Sequence, residues 1–319
     1  MTSLEQLLAS HFGDRITDVS SRPSLYASSF FVDEIDIRLD DGTTVELVAK
    51  AAQWEAKSPE AHSAKPAFLW NDQRERTTYE SILAKVDVGS ARYFGSFVDA
   101  TGVHYLLLER IAGVRLSECD GLEPWREAAR WLARLHARVS VEKASASCAA
   151  AHLVRYDRAF YESWRHRAER FQSSRADLSR LAATHRHVVD RLLYERTSFL
   201  HGEFYSANVL IVHRAKAIAV RPIDWEMASF GPALMDLAYL LAGRWTDDER
   251  ADVADAYVRE LASHRLDTPR REHCLRTLDC CLIHLSVQNL GWSDAWTPPS
   301  DHTYDWLGEG LRLCERWQL

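Results

Sequence analysis

The first part of the chain alternates between apolar and polar positions in a way that predicts a sheet. Apolar residues recur at every second position in 35–39 and again in 45–49, and Asp41-Gly42 lies between the two runs. Because glycine accepts a positive φ, this dipeptide predicts the turn of a β-hairpin. Further patterns predict an amphipathic helix at 1–12, a helix at 70–86 and strands at 91–97 and 103–108.

The pattern changes to one of helices after Gly113. Pro124 begins a segment in which apolar residues form one broad stripe, and proline early in a helix costs no backbone hydrogen bond. Helical spacing also predicts helices at 156–171, 178–195, 232–242, 247–264 and 271–290, with short strands at 199–200, 209–212 and 218–223. We therefore expect an α+β protein with a β-rich lobe at 1–111 and a mainly helical lobe at 112–319.

Composition narrows the classes of function. Hydrophobic residues make up 46% and charged residues 27% of the 319 residues, which is typical of a folded globular protein. The formal net charge of -7 gives no reason to expect a nucleic-acid or membrane-surface partner. No apolar run approaches the roughly 18 residues of a membrane span, and 1–12 does not resemble a signal peptide. The six cysteines form no CxxC pair, so we expect thiols in a reducing cytoplasm.

Three polar groups follow predicted strands and suggest phosphoryl transfer. The octapeptide HGEFYSAN, from His201 to Asn208, lies between two short apolar runs; Asp224 follows a third run, and Lys50 ends the hairpin. Transfer from ATP requires a cation on the phosphates, oxygen ligands for Mg²⁺ and a carboxylate that orients the acceptor hydroxyl. Asn208 and Asp224 carry the hard oxygen atoms that Mg²⁺ prefers. Glu75 and Glu80 in the predicted helix are alternative ion-pair partners for Lys50.

The order of these motifs resembles that of the aminoglycoside phosphotransferase and choline kinase-like superfamily, relatives of the protein kinases. The resemblance covers most of the chain between Lys50 and 241. The motifs that carry it are LLLE followed by Gly113 at 106–113, LARLHA at 132–137, HGEFYSAN at 201–208, IDWE at 223–226 and GPALMDLA at 231–238. It implies a protein-kinase-like two-lobed fold, with a five-stranded antiparallel sheet and one helix before a larger helical lobe, and ATP in the cleft between the lobes.

The resemblance also implies roles for individual residues. Lys50 would hold the α- and β-phosphates, and Glu75 would orient it. His201 and Asp236 would brace the catalytic loop. The remaining implied assignments are adenine on the backbone of Glu109, Arg110 and Ile111, phosphates covered by Ser28 and Ser29, and Mg²⁺ on Asn208 and Asp224.

Glu203 departs from the family pattern, which has aspartate at the position of the catalytic carboxylate. The extra methylene lengthens the arm by about one C–C bond, and a misplacement of about 1 Å can cost about a hundredfold in rate. We expect two things together: Glu203 orients the acceptor hydroxyl from a pocket built around the longer arm, and the chain is a slow or specialised kinase whose acceptor lies further away. Candidate acceptor contacts are Glu226, Trp292, Asp294 and Trp296. The alternatives for Glu226 are a supplementary place in the metal shell, a salt bridge or a cap, and the alternative for the tryptophans is packing in the core.

These observations lead to one main hypothesis and two alternatives. The main one is an ATP- and Mg²⁺-dependent phosphotransferase that acts on a hydroxyl of a small molecule, such as an antibiotic, amino sugar or other secondary metabolite. The first alternative is a Ser/Thr kinase of a natural-product precursor peptide, which would need a broader acceptor groove. The second is a nucleotide-binding pseudokinase that acts through a partner.

Overall fold

The first lobe is built on an antiparallel sheet. The structure is a computed structural model that describes residues 2–24, 30–53, 65–171, 176–215, 217–264, 270–292 and 304–319. The strands are β1 (Ile16–Pro23), β2 (Val32–Leu39), β3 (Thr44–Ala51), β4 (Tyr93–Val98) and β5 (His104–Glu109). Their order in the sheet is β1-β2-β3-β5-β4, and every pair is antiparallel. The predicted five-stranded sheet is confirmed, while Ser28 and Ser29 lie outside the described residues.

Helices cover both faces of this sheet. Helix α1 (Leu4–Phe12) packs on the face that carries Ile35, Ile37 and Leu107. Helix α2 (Arg74–Ser81) belongs with the opposite face, because Leu106 and Leu108 share a core with Tyr79. The alternation of 106, 107 and 108 between two cores is the period of two that a strand imposes.

Helix α2 is shorter than the predicted helix at 70–86. Only Arg74–Ser81 is α-helical, and 3₁₀ turns at Ala67–Leu69 and Leu83–Lys85 flank it. The β-branched side chains of Thr77, Thr78 and Ile82 lower helix propensity, which accounts for the early end of the helix. Tertiary contacts hold this short helix in place, since Arg74, Glu75, Thr77 and Thr78 are all buried.

Charged side chains hold the edge of the sheet. Strand β1 is exposed from its second residue onward. Arg22 on this strand binds Glu34 and Asp36, each at 2.6 Å, and Arg110 binds the same two acids at 3.0 and 2.8 Å. Glu34 lies opposite Val48, two residues before Lys50, so this charge ladder shares the face of Lys50.

Helices dominate the second lobe. They are α3 (Glu123–Arg138), α4 (Val141–Ser145), α5 (Arg158–Phe171), α6 (Ala176–Tyr194), α7 (Leu234–Leu240), α8 (Asp247–Ser263), α9 (Arg271–Leu290) and α10 (Trp306–Trp317). Helix α9 is buried along most of its length and contacts α5, α6, α7, α8 and α10. None of the described helices is both long and apolar enough to cross a bilayer. The division of the chain at 111/112 stays a prediction.

Two small sheets fix the loops of the second lobe. One has the order β10-β9-β6, and the other β7-β11-β8. Their strands are β6 (Val114–Arg115), β7 (Val154–Arg155), β8 (Thr197–Leu200), β9 (Val209–Arg214), β10 (Ala217–Pro222) and β11 (Ser229–Pro232). Strand β8 therefore leads into 201–208, and the β9–β10 hairpin separates Asn208 from Asp224.

The interior of the second lobe contains a pair of histidines. His185 Nε2 on α6 lies 3.2 Å from His284 Nδ1 on α9, and both side chains are fully buried. Within the described residues, His185 Nδ1 and His284 Nε2 have no hydrogen-bond partner. Burial lowers the pKa of His185 to about 4, opposed by Glu162 and assisted by Arg165. Burial and the neighbouring His185 lower the pKa of His284 well below its usual value. Both rings are therefore neutral at pH 7.

The histidine pair should make the protein less stable in mild acid. The unfolded chain, in which His185 titrates near 6.5, binds more protons below that pH than the folded protein does. Stability should therefore be complete above about pH 6.5 and decline as the pH falls toward 4. We expect a loss of about 2 kcal/mol from His185 alone between pH 7 and pH 5, measured by urea unfolding.

A variant pair isolates this effect from other titrations. His185→Gln should flatten the dependence of unfolding free energy on pH, whatever its stability at pH 7. His187 lies exposed on the same helix, and His187→Gln should keep the wild-type slope. An unchanged slope in His185→Gln would show that the pair does not set the acid sensitivity.

Candidate active site

Lys50 is the centre of the cluster between the lobes. Its ammonium, on β3, lies 2.7 Å from Glu75 Oε2 on α2 and 2.7 Å from Asp224 Oδ1 in the second lobe. Glu75, and not Glu80, is thus the helix acid on Lys50; Glu80 pairs with Arg76 at 2.8 Å. The sheet, its helix and the segment after β10 therefore converge on one cation.

The surroundings of Lys50 keep it charged. The side chain is 11% exposed. Burial alone would lower the pKa of the ammonium, but Asp224, Glu75 and Glu226 together raise it above its usual value. The ring of Phe30 lies below the ammonium, with its centroid 5.4 Å away. A permanently charged lysine at this position can bind phosphate oxygens.

Asp224 occupies an unusual backbone conformation. Its φ is +65°, in the left-handed region. Few residues other than glycine adopt this conformation, and aspartate is one of them. The next residue, Trp225, donates its backbone N–H to Glu75 Oε1 at 3.2 Å, and its ring is fully buried. Glu75 thus binds both Lys50 and the segment that carries Asp224, which fixes the carboxylate of Asp224 relative to the ammonium.

A buried carboxylate shapes the loop at 201–208. Asp236 on α7 accepts the backbone N–H groups of His201 and Gly202, at 2.7 and 2.9 Å. The ring of His201 lies 2.9 Å from the carbonyl of Ile223 through Nε2, and its Nδ1 accepts the N–H of Glu203 at 3.4 Å. These contacts require a proton on Nε2 and none on Nδ1, and burial lowers the pKa of His201 accordingly.

The backbone of Glu203 is held on its carbonyl side as well. The carbonyl accepts the N–H of Tyr205 at 2.8 Å and the side-chain amide of Asn208 at 3.1 Å. Asn208 in turn accepts the N–H of Ile223 on its backbone carbonyl, at 2.9 Å, directly before Asp224. Because the amide nitrogen of Asn208 faces Glu203, its amide oxygen is the atom of this side chain that could ligate a cation.

Gly202 brings the loop against the segment after Asp224. Its φ is +87°, and a Cβ at this position would lie 1.9 Å from the carbonyl oxygen of Met227. No side chain fits there. The backbone at Gly202 and the backbone at Met227 are therefore in direct contact, one residue from Glu203 on one side and three from Asp224 on the other.

The segment 109–111, here called the hinge, connects the two lobes and is the predicted contact for adenine. Arg110 donates its backbone N–H to the carbonyl of Glu46 at 3.0 Å. Strand β3 therefore already uses this N–H, and the adenine contact on the backbone of 109–111 stays a prediction. The backbone N–H of Glu109 is likewise donated within the first lobe, to the carbonyl of Arg92 at 2.8 Å. The carboxylate of Glu109 accepts Arg221 from the second lobe at 2.7 Å, which ties the hinge to β10.

The predicted acceptor residues lie in different surroundings. Glu226 binds Lys65 at 2.9 Å, and both side chains are largely buried. This contact is the salt bridge that the sequence left open as one alternative for Glu226. Trp292 stacks on the fully buried Trp164 with ring centroids 5.3 Å apart, which gives it a packing contact. Asp294 and Trp296 lie outside the described residues, so the acceptor role of these four stays a prediction.

Two residues near Lys50 were not singled out from the sequence. Lys65 belongs to a polar stretch without periodicity, and nothing in the pattern distinguishes it from a surface lysine. Arg74 directly precedes Glu75, the residue predicted to pair with Lys50. This position next to Glu75 was the only feature of the sequence that could have indicated Arg74. Both residues line a cavity with Glu75 and Glu226 between the end of β3 and the start of α2.

Comparison with known families identifies a match over the part of the chain that contains most of this site. The model of the phosphotransferase enzyme family, APH, matches residues 81–273. The matched region includes the hinge, the loop at 201–208, Asp224 and Asp236, and begins after Lys50 and Glu75. No curated protein matches the chain by sequence.

Solved structures match over nearly the whole chain. The microcompartment-associated aminopropanol kinase is 14% identical, with a TM-score of 0.57, over 98% of this chain and 96% of that one. The ethanolamine kinase of Plasmodium vivax is 10% identical, with a TM-score of 0.55, over 98% and 86%. Spectinomycin phosphotransferase, solved with ADP and spectinomycin, is 14% identical, with a TM-score of 0.53, over 90% and 84%. At these identities the likeness establishes the kinase-like fold.

The contact at Gly202 predicts a sharp difference between two glycine variants. Gly202→Ala should lower the free energy of unfolding by at least about 3 kcal/mol, because it adds a clash to an unfavourable φ. Gly102 has a similar φ of +91°, but among the described residues no atom beyond its own and those of its chain neighbours lies within 4 Å of the place that a Cβ would take, so it is the matched control. Gly102→Ala should cost about 1–2 kcal/mol from φ alone. Equal losses in urea unfolding would show that Gly202 and Met227 are not in contact.

Proposed function

The chain belongs to the phosphotransferase enzyme family, and on this basis we propose that it transfers the γ-phosphoryl group of ATP to a hydroxyl of a small molecule with the assistance of Mg²⁺. One observation carries the proposal: Lys50 lies 2.7 Å from Asp224, although 174 residues separate them along the chain. An ammonium from one lobe and a carboxylate from the other are the groups that a magnesium–nucleotide complex requires.

Lys50 binds the donor phosphates in this proposal. Its ammonium donates to oxygen atoms of the α- and β-phosphates, and Glu75 keeps it pointing into the cleft. The backbone of Glu109, Arg110 and Ile111 receives the adenine in this proposal. Because phosphoryl transfer depends mainly on positioning and charge stabilisation, the fixed distance between Glu75 and Lys50 contributes directly to rate.

Asn208 and Asp224 hold the metal in this proposal. Both offer hard oxygen atoms, from an amide and a carboxylate, and the backbone bond between Asn208 and Ile223 keeps the two residues adjacent. When bound, magnesium would offset the negative charge on the phosphate oxygens. The residues present therefore fit this metal.

Glu203 acts on the acceptor. Its carboxylate orients the acceptor hydroxyl and takes its proton while the new oxygen–phosphorus bond forms and the β–γ bridging bond breaks, releasing ADP. The backbone of Glu203 is held by His201, Tyr205 and Asn208. Because the backbone is fixed, the extra methylene of glutamate lengthens the reach of the carboxylate, and in this proposal the acceptor hydroxyl lies correspondingly further from the loop.

The acceptor class follows from the family and the neighbours. The similar structures bear the names of kinases of aminopropanol and ethanolamine and of a spectinomycin phosphotransferase. All three named acceptors are small molecules, which supports a small-molecule hydroxyl here, such as that of an antibiotic, amino sugar or other secondary metabolite. A screen of such compounds with ³²P-ATP would identify it.

Variants of Glu203 test its role in transfer. Glu203→Gln and Glu203→Ala should lower kcat by about 10²–10⁴-fold, because neither accepts a proton. Glu203→Asp keeps the carboxylate but shortens the side chain by one methylene, so the carboxylate lies further from the acceptor hydroxyl. This variant should lower kcat by about 10–100-fold. The measurement is phosphorylation of the acceptor found in the screen, or ATP hydrolysis before one is found.

Nucleotide binding is the control for these variants. Calorimetry should give the same affinity for Mg·ADP in Glu203→Gln as in the wild-type protein, because Glu203 does not hold nucleotide. Full turnover in Glu203→Gln and Glu203→Ala would remove Glu203 from the mechanism. Tight nucleotide binding without turnover on any acceptor would instead favour a pseudokinase.

Asp224 offers a second test that separates charge from backbone conformation. Asparagine tolerates a left-handed φ, so Asp224→Asn should keep the fold and lower affinity for Mg·ADP at least about tenfold. Asp224→Ala should lose the same affinity and, in addition, about 1 kcal/mol of stability from φ. Unchanged Mg·ADP affinity in Asp224→Asn would contradict metal binding at this position.

A further inference from the structure

Arg74 joins three separate segments through neutral acceptors. Its Nε donates to the carbonyl of His152 at 2.7 Å, and its Nη1 donates to the carbonyls of Leu69 and Glu226 at 2.9 and 2.8 Å. The sulfur of Met227 lies 3.7 Å from the same nitrogen. The side chain is 4% exposed. Burial of a guanidinium is costly because the group loses its contacts with water. The hydrogen bonds to the three carbonyl groups offset part of this cost.

The segments that Arg74 joins belong to different parts of the molecule. Leu69 is in the turn that precedes α2, and His152 precedes β7 in the second lobe. Glu226 and Met227 follow Asp224, and the carbonyl of Met227 is the atom that meets Gly202. One side chain thus connects helix α2 to the segment that carries Asp224 and, through Met227, to the loop that carries Glu203.

The position of Arg74 along the helix gives these contacts a consequence for Lys50. Arg74 and Glu75 are consecutive in the first turn of α2, and both side chains point toward 224–227, where Glu75 accepts the N–H of Trp225. A shift of α2 relative to the second lobe would disturb the bonds of Arg74 to His152 and Glu226 together with the bond of Glu75 to Trp225. Glu226 and Glu203 lie near enough to oppose the effect of burial on the pKa of Arg74.

We propose that Arg74 is a positioning residue that fixes helix α2 against the 224–227 segment and so keeps Glu75 on Lys50. The hydrogen bonds of its Nε and Nη1 go to backbone carbonyl groups of the protein itself, so it acts through helix α2. Its effect on turnover rests on the proposed function, in which Lys50 binds the donor phosphates. Its effect on helix α2 does not depend on that function and can be measured separately.

Lysine cannot replace Arg74 in this role. The guanidinium donates in two directions at once, from Nε and from Nη1, whereas an ammonium on a flexible stem is a single point of charge. Arg74→Lys therefore keeps the charge and loses the geometry, and Arg74→Met loses both. Arg76 on the same helix pairs with Glu80 and Gln73 at the surface, so Arg76→Met is the matched control.

Hydrogen exchange and kinetics together test the proposal. Exchange of the amides of helix α2 should accelerate by about tenfold or more in Arg74→Met and Arg74→Lys and stay unchanged in Arg76→Met, with α9 unaffected in all three. The kcat for ATP hydrolysis should fall by about 10²-fold in both Arg74 variants. Arg74→Met combined with Glu75→Gln should be no slower than Glu75→Gln alone, because both act through Lys50.

The possible outcomes distinguish failure of the positioning role of Arg74 from failure of the proposed phosphotransferase function. Equal exchange of α2 in the Arg74 and Arg76 variants overturns the positioning role. Faster exchange with additive losses of kcat in the double variant overturns the link to Lys50 and leaves Arg74 a stabilising residue only. A wild-type protein that binds no Mg·ADP overturns the proposed function, and the exchange comparison then still decides whether Arg74 holds helix α2.

Discussion

The ammonium of Lys50 is the interaction on which the arrangement between the lobes depends. Two carboxylates lie 2.7 Å from it, one from helix α2 and one from the second lobe. In a site this buried, a lone charge is costly, and removal of the ammonium would leave both carboxylates uncompensated. The sheet, the helix and the segment at Asp224 must therefore come together as one unit, and neither lobe has this cluster alone.

Hydrogen bonds and close contacts to the backbone set the geometry around that cluster. Asp236 accepts the N–H groups of His201 and Gly202, and Gly202 lies directly against Met227. Asn208 connects the carbonyl of Glu203 to the N–H of Ile223. The loop at 201–208 and the segment at 223–227 consequently hold each other, so the carboxylates of Glu203 and Asp224 are placed by a common scaffold.

Much of this architecture could be predicted from the pattern of the chain. The hairpin at Asp41-Gly42 and the helical spacing after Pro124 each report local structure, and the order of motifs resembled a family that the comparison confirmed. The choice between Glu75 and Glu80 as the partner of Lys50 stayed open in the residues themselves, since both lie in one predicted helix. It is settled by which face of α2 meets the second lobe, a tertiary fact.

Other features had no local signal at all. The partners of Arg74 are carbonyl oxygen atoms, which every residue carries, so no sequence pattern could indicate them. The N–H of Arg110 is used by β3 because of strand register, which a hinge motif does not encode. The left-handed φ of Asp224 likewise follows from the turn that packing imposes after β10.

The charge ladder on the edge of the sheet has a consequence for how the protein responds to its solution. Strand β1 is exposed along nearly its whole length and is held by Arg22 on Glu34 and Asp36. Ion pairs of this exposure weaken as counter-ions screen them, whereas a core of buried helices is indifferent to added electrolyte. A rise in ionic strength should therefore loosen the edge of the first-lobe sheet well before it affects the helices of the second lobe.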